Sequence, residues 1–95
     1  MEAYEIIKEP IISEKATEMN TKFNQVVFKV DKRANKYQIK KAVEKIYEKN
    51  GVRVDKVRTM NVPGKLKRVR SRAGRLSGWK KAIVSLKKGS KLEFQ

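Results

Sequence analysis

The chain has 95 residues, 25 Lys and Arg against 10 Asp and Glu, a net charge of +15, and neither cysteine nor histidine. At this length a single domain over residues 1–95 is expected, and its apolar share of 39% is enough for one modest core. The missing Cys and His exclude disulfides, thiol nucleophiles and the ordinary zinc-ligand sets. A balance this basic repels itself, so a polyanion is expected in the working state.

The N-terminus, Met1-Glu2-Ala3-Tyr4-Glu5, is acidic where a signal or transit peptide is basic, and no apolar run exceeds four residues. The reading is a soluble chain with no address and no membrane segment. Ile6-Ile7 and Ile11-Ile12 flank Lys8-Glu9-Pro10, and proline disfavours helix in the residue before it, so 5–12 reads as a short strand or extended lead-in. Ser13 then reads as an N-cap, with Glu14 in the first turn and Glu18 four residues before Lys22; this suits a short helix over about 14–21 that frays at Asn20-Thr21.

Val26, Phe28 and Val30 alternate with Val27 and Lys29, which predicts a strand over 25–30. From Asn35 the period changes to three and four through Ile39, Ala42, Val43, Ile46 and Tyr47, the pattern of an amphipathic helix. Asn35 with Gln38 reads as a capping box, and Asn50-Gly51 as a left-handed stop. Val52, Val54, Val57 and Thr59 give a second strand whose parity shifts near Asp55-Lys56, as at a bulge. Val62-Pro63-Gly64 ends it. The last strand runs from Trp79 to Leu86, with Ala82, Val84 and Leu86 on one face and Ile83 on the other; Lys87-Lys88-Gly89 turns, and Leu92 and Phe94 return at an edge.

The charge is regional. Residues 1–55 carry 12 basic and 9 acidic side chains, whereas residues 56–95 carry 13 basic and only Glu93. Between the last two strands lies 63–78, too long for an ordinary hairpin loop. Here Lys65, Lys67, Arg68, Arg70, Arg72 and Arg75 place six cations within eleven residues. Phosphate is the natural ligand, since the planar Arg fork binds it bidentately or stacks on a base. Two other readings stand beside this one: a solvated loop, and a basic amphipathic helix on Leu66, Val69, Ala73 and Leu76 for a membrane surface or a partner groove. Gly64, Gly74 and Gly78 weigh against the helix, at roughly 1 kcal/mol each relative to alanine.

Trp79, next to Lys80 and Lys81, either covers the sheet end or stacks on an RNA base. The aromatic-glycine signature of an RNA-recognition strand is missing. Catalysis finds no support: Glu14 and Glu18 are the only helical carboxylate pairing, which reads as an exposed first turn, and there is no phosphate-cradling glycine loop. No enzyme, cofactor or metal is expected. A nonspecific DNA-binding or chromatin-like role is the other reading that the charge allows.

The residues resemble a family, the universal large-subunit ribosomal protein L23. The resemblance rests on Pro10-Ile11-Ile12-Ser13-Glu14-Lys15-Ala16, Val30-Asp31, Ala34-Asn35-Lys36, Ile39-Lys40-Lys41-Ala42-Val43, Val57-Arg58-Thr59-Met60-Asn61, Gly64-Lys65-Leu66-Lys67-Arg68, Gly74-Arg75 and Trp79-Lys80-Lys81-Ala82-Ile83-Val84, in this order and spacing. It implies a three-layer α/β/α (α+β) domain with a mostly antiparallel four-stranded sheet and a long basic hairpin arm, of the bacterial or plastid branch. It also implies a structural role in the large subunit, bound to large-subunit rRNA beside the exit tunnel and to neighbouring ribosomal proteins, in the cytoplasm or the plastid stroma, with no homo-oligomer. The rRNA contacts so implied are Lys36, Lys40, the six arm cations, Trp79, Lys80 and Lys81. Docking of trigger factor and signal recognition particle would fall on Glu14, Tyr47 and Glu48. Two departures stand out: Lys49-Asn50-Gly51 is a longer helix-to-strand turn than usual, and Tyr47 stands where phenylalanine is common.

Overall fold

The computed structural model describes residues 2–63, 66–69, 72–75 and 78–92, the segments 66–69 and 72–75 by their backbone alone. In chain order the elements are α1 (Ala3–Ile6), β1 (Ile7–Pro10), α2 (Glu14–Phe23), β2 (Gln25–Val30), α3 (Lys36–Ile46), a 3-10 turn (Glu48–Asn50), β3 (Val54–Val62), β4 (Leu66–Val69), β5 (Arg72–Arg75) and β6 (Trp79–Leu86). Two antiparallel sheets result: a four-stranded one in the order β1-β2-β6-β3, and the pair β4-β5.

Strand parity decides the layers. Val26, Phe28 and Val30 of β2 and Ala82, Val84 and Leu86 of β6 point to one face, where they join Ala3 and Ile6 of α1 and Ile39, Ala42 and Val43 of α3 in one buried cluster. Val27 and its register partner Ile83 are buried on the opposite face, outside that cluster. Helix α2 packs on β2 and contributes no residue to the cluster, so helices lie on both sides of the sheet. The long amphipathic helix, both central strands and the bulge follow the sequence reading. The bulge is the register shift between Val54 and Lys56, and the Glu44 carboxylate of α3 accepts the Val54 N–H at 3.1 Å beside it.

Three expectations need correction. The lead-in over 5–12 is extended only from Ile7; Ala3–Ile6 forms a helical turn because the three-residue spacing of Ala3 and Ile6 lets both bury against α3. Pro10 is tolerated because β1 is an edge strand. Helix α2 does not fray at Asn20-Thr21 but runs to Phe23, since Asn24 adopts the left-handed conformation (φ 53°) and returns its N–H to Asn20 and Met19. Its end is further tied by Asn20 Nδ2 to the Leu92 carbonyl (2.6 Å) and Asn24 Nδ2 to the Ser90 carbonyl (2.8 Å). The second strand begins at Val54, not Val52, although Val52 is buried in the core. Leu92 returns into that core without strand pairing, and Phe94 lies outside the described residues.

Candidate nucleic-acid interface

Within the arm, β4 and β5 pair antiparallel, so over these residues the segment is a hairpin and not the amphipathic helix its apolar spacing also allowed. The register sets Lys67 opposite Gly74, Arg68 opposite Ala73, Arg72 opposite Val69 and Arg75 opposite Leu66. Among the described residues of the arm no basic residue faces another directly, which spares the pairing the repulsion that like charges across a ladder cause. Lys65 and Arg70 lie outside the described residues. A radius of gyration of 15.0 Å exceeds the roughly 12 Å expected of a compact chain of this length.

At the root of the arm the sheet ends in an open concavity of about 590 Å³, lined by Lys8, Lys29, Asp31, Lys32, Arg33 and Trp79, among others. Its origin is parity again. Lys29 pairs with Lys81 across β2 and β6, so Lys29, Lys81 and Trp79 share the face that carries Val27 and Ile83. Lys80, between them, turns to the other face and donates its ammonium to the Ala34 carbonyl at 2.5 Å. The structure therefore separates Lys80 from Trp79 and Lys81. Asp31 accepts the Arg33 backbone N–H at 2.8 Å and its guanidinium at 3.2 and 3.3 Å. These bonds lower the Asp31 carboxyl to about 2 and raise the Arg33 guanidinium. The acid of the concavity thus serves Arg33 first, with a smaller charge interaction with Lys8, and among the described residues no salt bridge reaches Lys8, Lys29 or Lys32.

A second basic groove, about 370 Å³, runs between α3 and β3 and joins Lys36 and Lys40 to Tyr37, Asp55, Lys56, Val57 and Arg58. Asn35 positions it by capping α3: its side chain accepts the Gln38 N–H at 2.8 Å, while Gln38 Oε1 accepts the Asn35 N–H at 3.0 Å. Tyr37, in this first turn of α3, is exposed, with Lys41 Nζ 4.7 Å above its ring. A hydrogen bond and charge interaction with Tyr37 raise the Lys41 ammonium above its ordinary value. The sequence reading missed Lys56 and Arg58 here and Lys8, Lys29, Lys32 and Arg33 at the arm root. Alternation put Lys29 opposite the core-facing Phe28 and Val30, yet its neighbours were set by register, which is not written in any one segment.

The three residues assigned to factor docking do not share a layer. Glu14 is exposed in the first turn of α2, behind Ser13, whose side chain accepts the Ala16 N–H at 3.1 Å. Tyr47 packs against the core cluster, its ring centroid 6.0 Å from that of Phe28, and burial raises its hydroxyl pKa, with a smaller contribution from Tyr4. Glu48 is exposed in the 3-10 turn that lengthens this connection, which ends on Gly51 at φ 66°.

Residues 5–94 match the family described as ribosomal protein L23. The chain belongs to this family. It is 47% identical to the large ribosomal subunit protein uL23 of Geobacter metallireducens over 99% of this chain and 97% of that one. With uL23 of Tolumonas auensis it shares 52% identity over 94% of this chain and 85% of the other, and with that of Pasteurella multocida 51% over 94% and 86%. Family membership makes this chain a structural ribosomal protein and not an enzyme. It also agrees with the α+β fold of helices on a four-stranded antiparallel sheet.

Proposed function

We propose that the chain is a structural constituent of the large ribosomal subunit in the cytoplasm, where its basic arm and the two basic concavities beside it hold large-subunit rRNA near the polypeptide exit tunnel. The observation that carries this reading is the near full-length similarity to large-subunit proteins, joined to an arm whose six cations have no acid between Asp55 and Glu93. The rRNA-facing set is Lys36 and Lys40 in the α3 groove, Lys65, Lys67, Arg68, Arg70, Arg72 and Arg75 in the arm, and Trp79, Lys80 and Lys81 at its root. Neighbouring ribosomal proteins complete the seat, and residues 1–95 act as one domain. Trigger factor and signal recognition particle would dock through Glu14, Tyr47 and Glu48, of which Glu14 and Glu48 are exposed.

Mass spectrometry of purified large subunits is expected to find the chain there in stoichiometric amount, and its absence would remove the proposal. In ribosomes carrying Glu14→Ala, assembly is expected to be unchanged and trigger-factor affinity reduced by no more than about five-fold, because an exposed ion pair contributes roughly 0–1 kcal/mol. Unchanged affinity would take Glu14 out of the docking surface.

A further inference from the structure

The concavity at the arm root has a chemistry more specific than a patch of charge. Trp79 is the chain's one tryptophan, and it is half-buried on a sheet face that also carries Lys29 and Lys81. Lys8 from β1 and Lys32 from the turn after β2 close the sides. The volume, about 590 Å³, lies within the range of small-ligand sites. Asp31, the acid that would repel an anion, is held by Arg33 and also feels the charge of Lys8, and Glu9 is the register partner of Lys29; among the described residues none of Lys8, Lys29 and Lys32 forms a salt bridge.

An aromatic face bordered by free ammonium groups is how proteins hold single-stranded nucleic acid: the base lies on the ring and the phosphates lie on the cations. A base inside a helix already has both faces covered, so it has no face to offer an indole; an unpaired, splayed nucleotide does. We infer that the arm root is a nucleotide pocket, in which one unstacked base of RNA stacks on Trp79 while its flanking phosphates are held by Lys8, Lys29 and Lys32. This rests on the rRNA-binding reading above and adds to it a contact with a base, where the arm supplies contacts with phosphate. Lys8, the stretch from Lys29 to Lys32, and Trp79 lie on three separate pieces of chain, so only the folded protein assembles the pocket.

Because no other tryptophan is present, the fluorescence of the full chain reports Trp79 alone. Its emission is to be followed while titrating a short single-stranded oligoribonucleotide of mixed sequence, an abasic RNA with the same number of phosphates, and polyglutamate of equal charge. The mixed-sequence RNA is expected to quench Trp79 strongly at saturation, and the two base-free polyanions to leave it close to its free value. In the Lys8→Ala, Lys29→Ala double variant the midpoint is expected to shift about ten-fold to higher RNA concentration, while the quenching at saturation persists. Trp79→Ala is expected to lose about ten-fold in affinity and Trp79→Phe less than about three-fold, given the usual contribution of base stacking. Circular dichroism checks that each variant is folded, and the wild-type titrations decide the matter even if Trp79→Ala is not.

Equal quenching by abasic RNA or polyglutamate would overturn the pocket, as would RNA binding that leaves the emission unchanged. In either case binding itself would still stand with the proposed function. If neither RNA binds the chain at low salt, the proposed function falls and the pocket falls with it.

Discussion

Asp31 and Arg33 sit two residues apart in the turn after β2, where the carboxylate accepts three hydrogen bonds from one partner. Because the folded carboxyl is lowered from 3.8 to about 2, the pair stabilises the fold at pH above the ordinary value, and that contribution is lost as pH falls towards 2. In Arg33→Ala the Asp31 carboxyl, followed by NMR, is expected to rise from about 2 towards the ordinary 3.8 without reaching it, because the residue-33 N–H and the charge of Lys8 remain. Unfolding curves of the two proteins should differ above about pH 4 and converge at pH 2. An unmoved Asp31 would mean that the pKa is set elsewhere in the turn. This pair was not legible in the sequence, where Asp31 stood only within a family block and its spacing to Arg33 follows no helix or strand rule. The Asn35 and Gln38 capping box was legible, because it depends on four consecutive residues and the N–H groups they supply.

At the scale of elements, α3 organises the main core. Ile39 and Val43 are completely buried on its inner face, while Tyr37, two residues before Ile39, is exposed. Ile39→Ala is expected to cost about 3 kcal/mol, from lost transfer energy and the cavity left behind. In a chain of this size that lowers the melting temperature by roughly 15 °C. Tyr37→Ala, made on the same helix, is expected to shift it by less than about 4 °C, since exposed substitutions are worth within about 0.5 kcal/mol. Equal shifts, read by circular dichroism on melting, would show that the helix and not its buried face sets the stability. The period of three and four announced this helix without help. It could not announce α1, a single turn whose helical state depends on burying Ala3 and Ile6 against a partner thirty-odd residues away.

For the whole molecule the question is how much of RNA binding the arm carries. Each phosphate neutralised by Lys or Arg releases counterions and steepens the fall of log affinity with log salt by about 0.7–0.9. Replacing Arg68, Arg70, Arg72 and Arg75 by Ala is therefore expected to reduce the slope for an rRNA fragment by about 3. Binding should weaken without vanishing, because the α3 groove and the arm root keep their cations. Thermal unfolding should be unchanged, since none of the four belongs to the periodic apolar pattern of the sequence. Coincident slopes for the two proteins would show that the arm holds no phosphate in that fragment.

The sequence alone determined what depends on local pattern: the two central strands, the amphipathic helix with its cap and stop, the bulge at Asp55, and the collection of positive charge in one segment. Each follows from residues a few positions apart, through periodicity, capping or charge density. The tertiary structure decided what depends on register and topology. The order β1-β2-β6-β3 sets Lys29 beside Lys81, and the turn after β2 brings Lys32 and Arg33 to the same concavity as Trp79. Folding α3 against β3 joins Lys36 and Lys40 to Lys56 and Arg58. The same folding divides residues that the sequence placed together, turning Lys80 away from Trp79 and Lys81 because successive side chains of a strand point to opposite faces of its sheet.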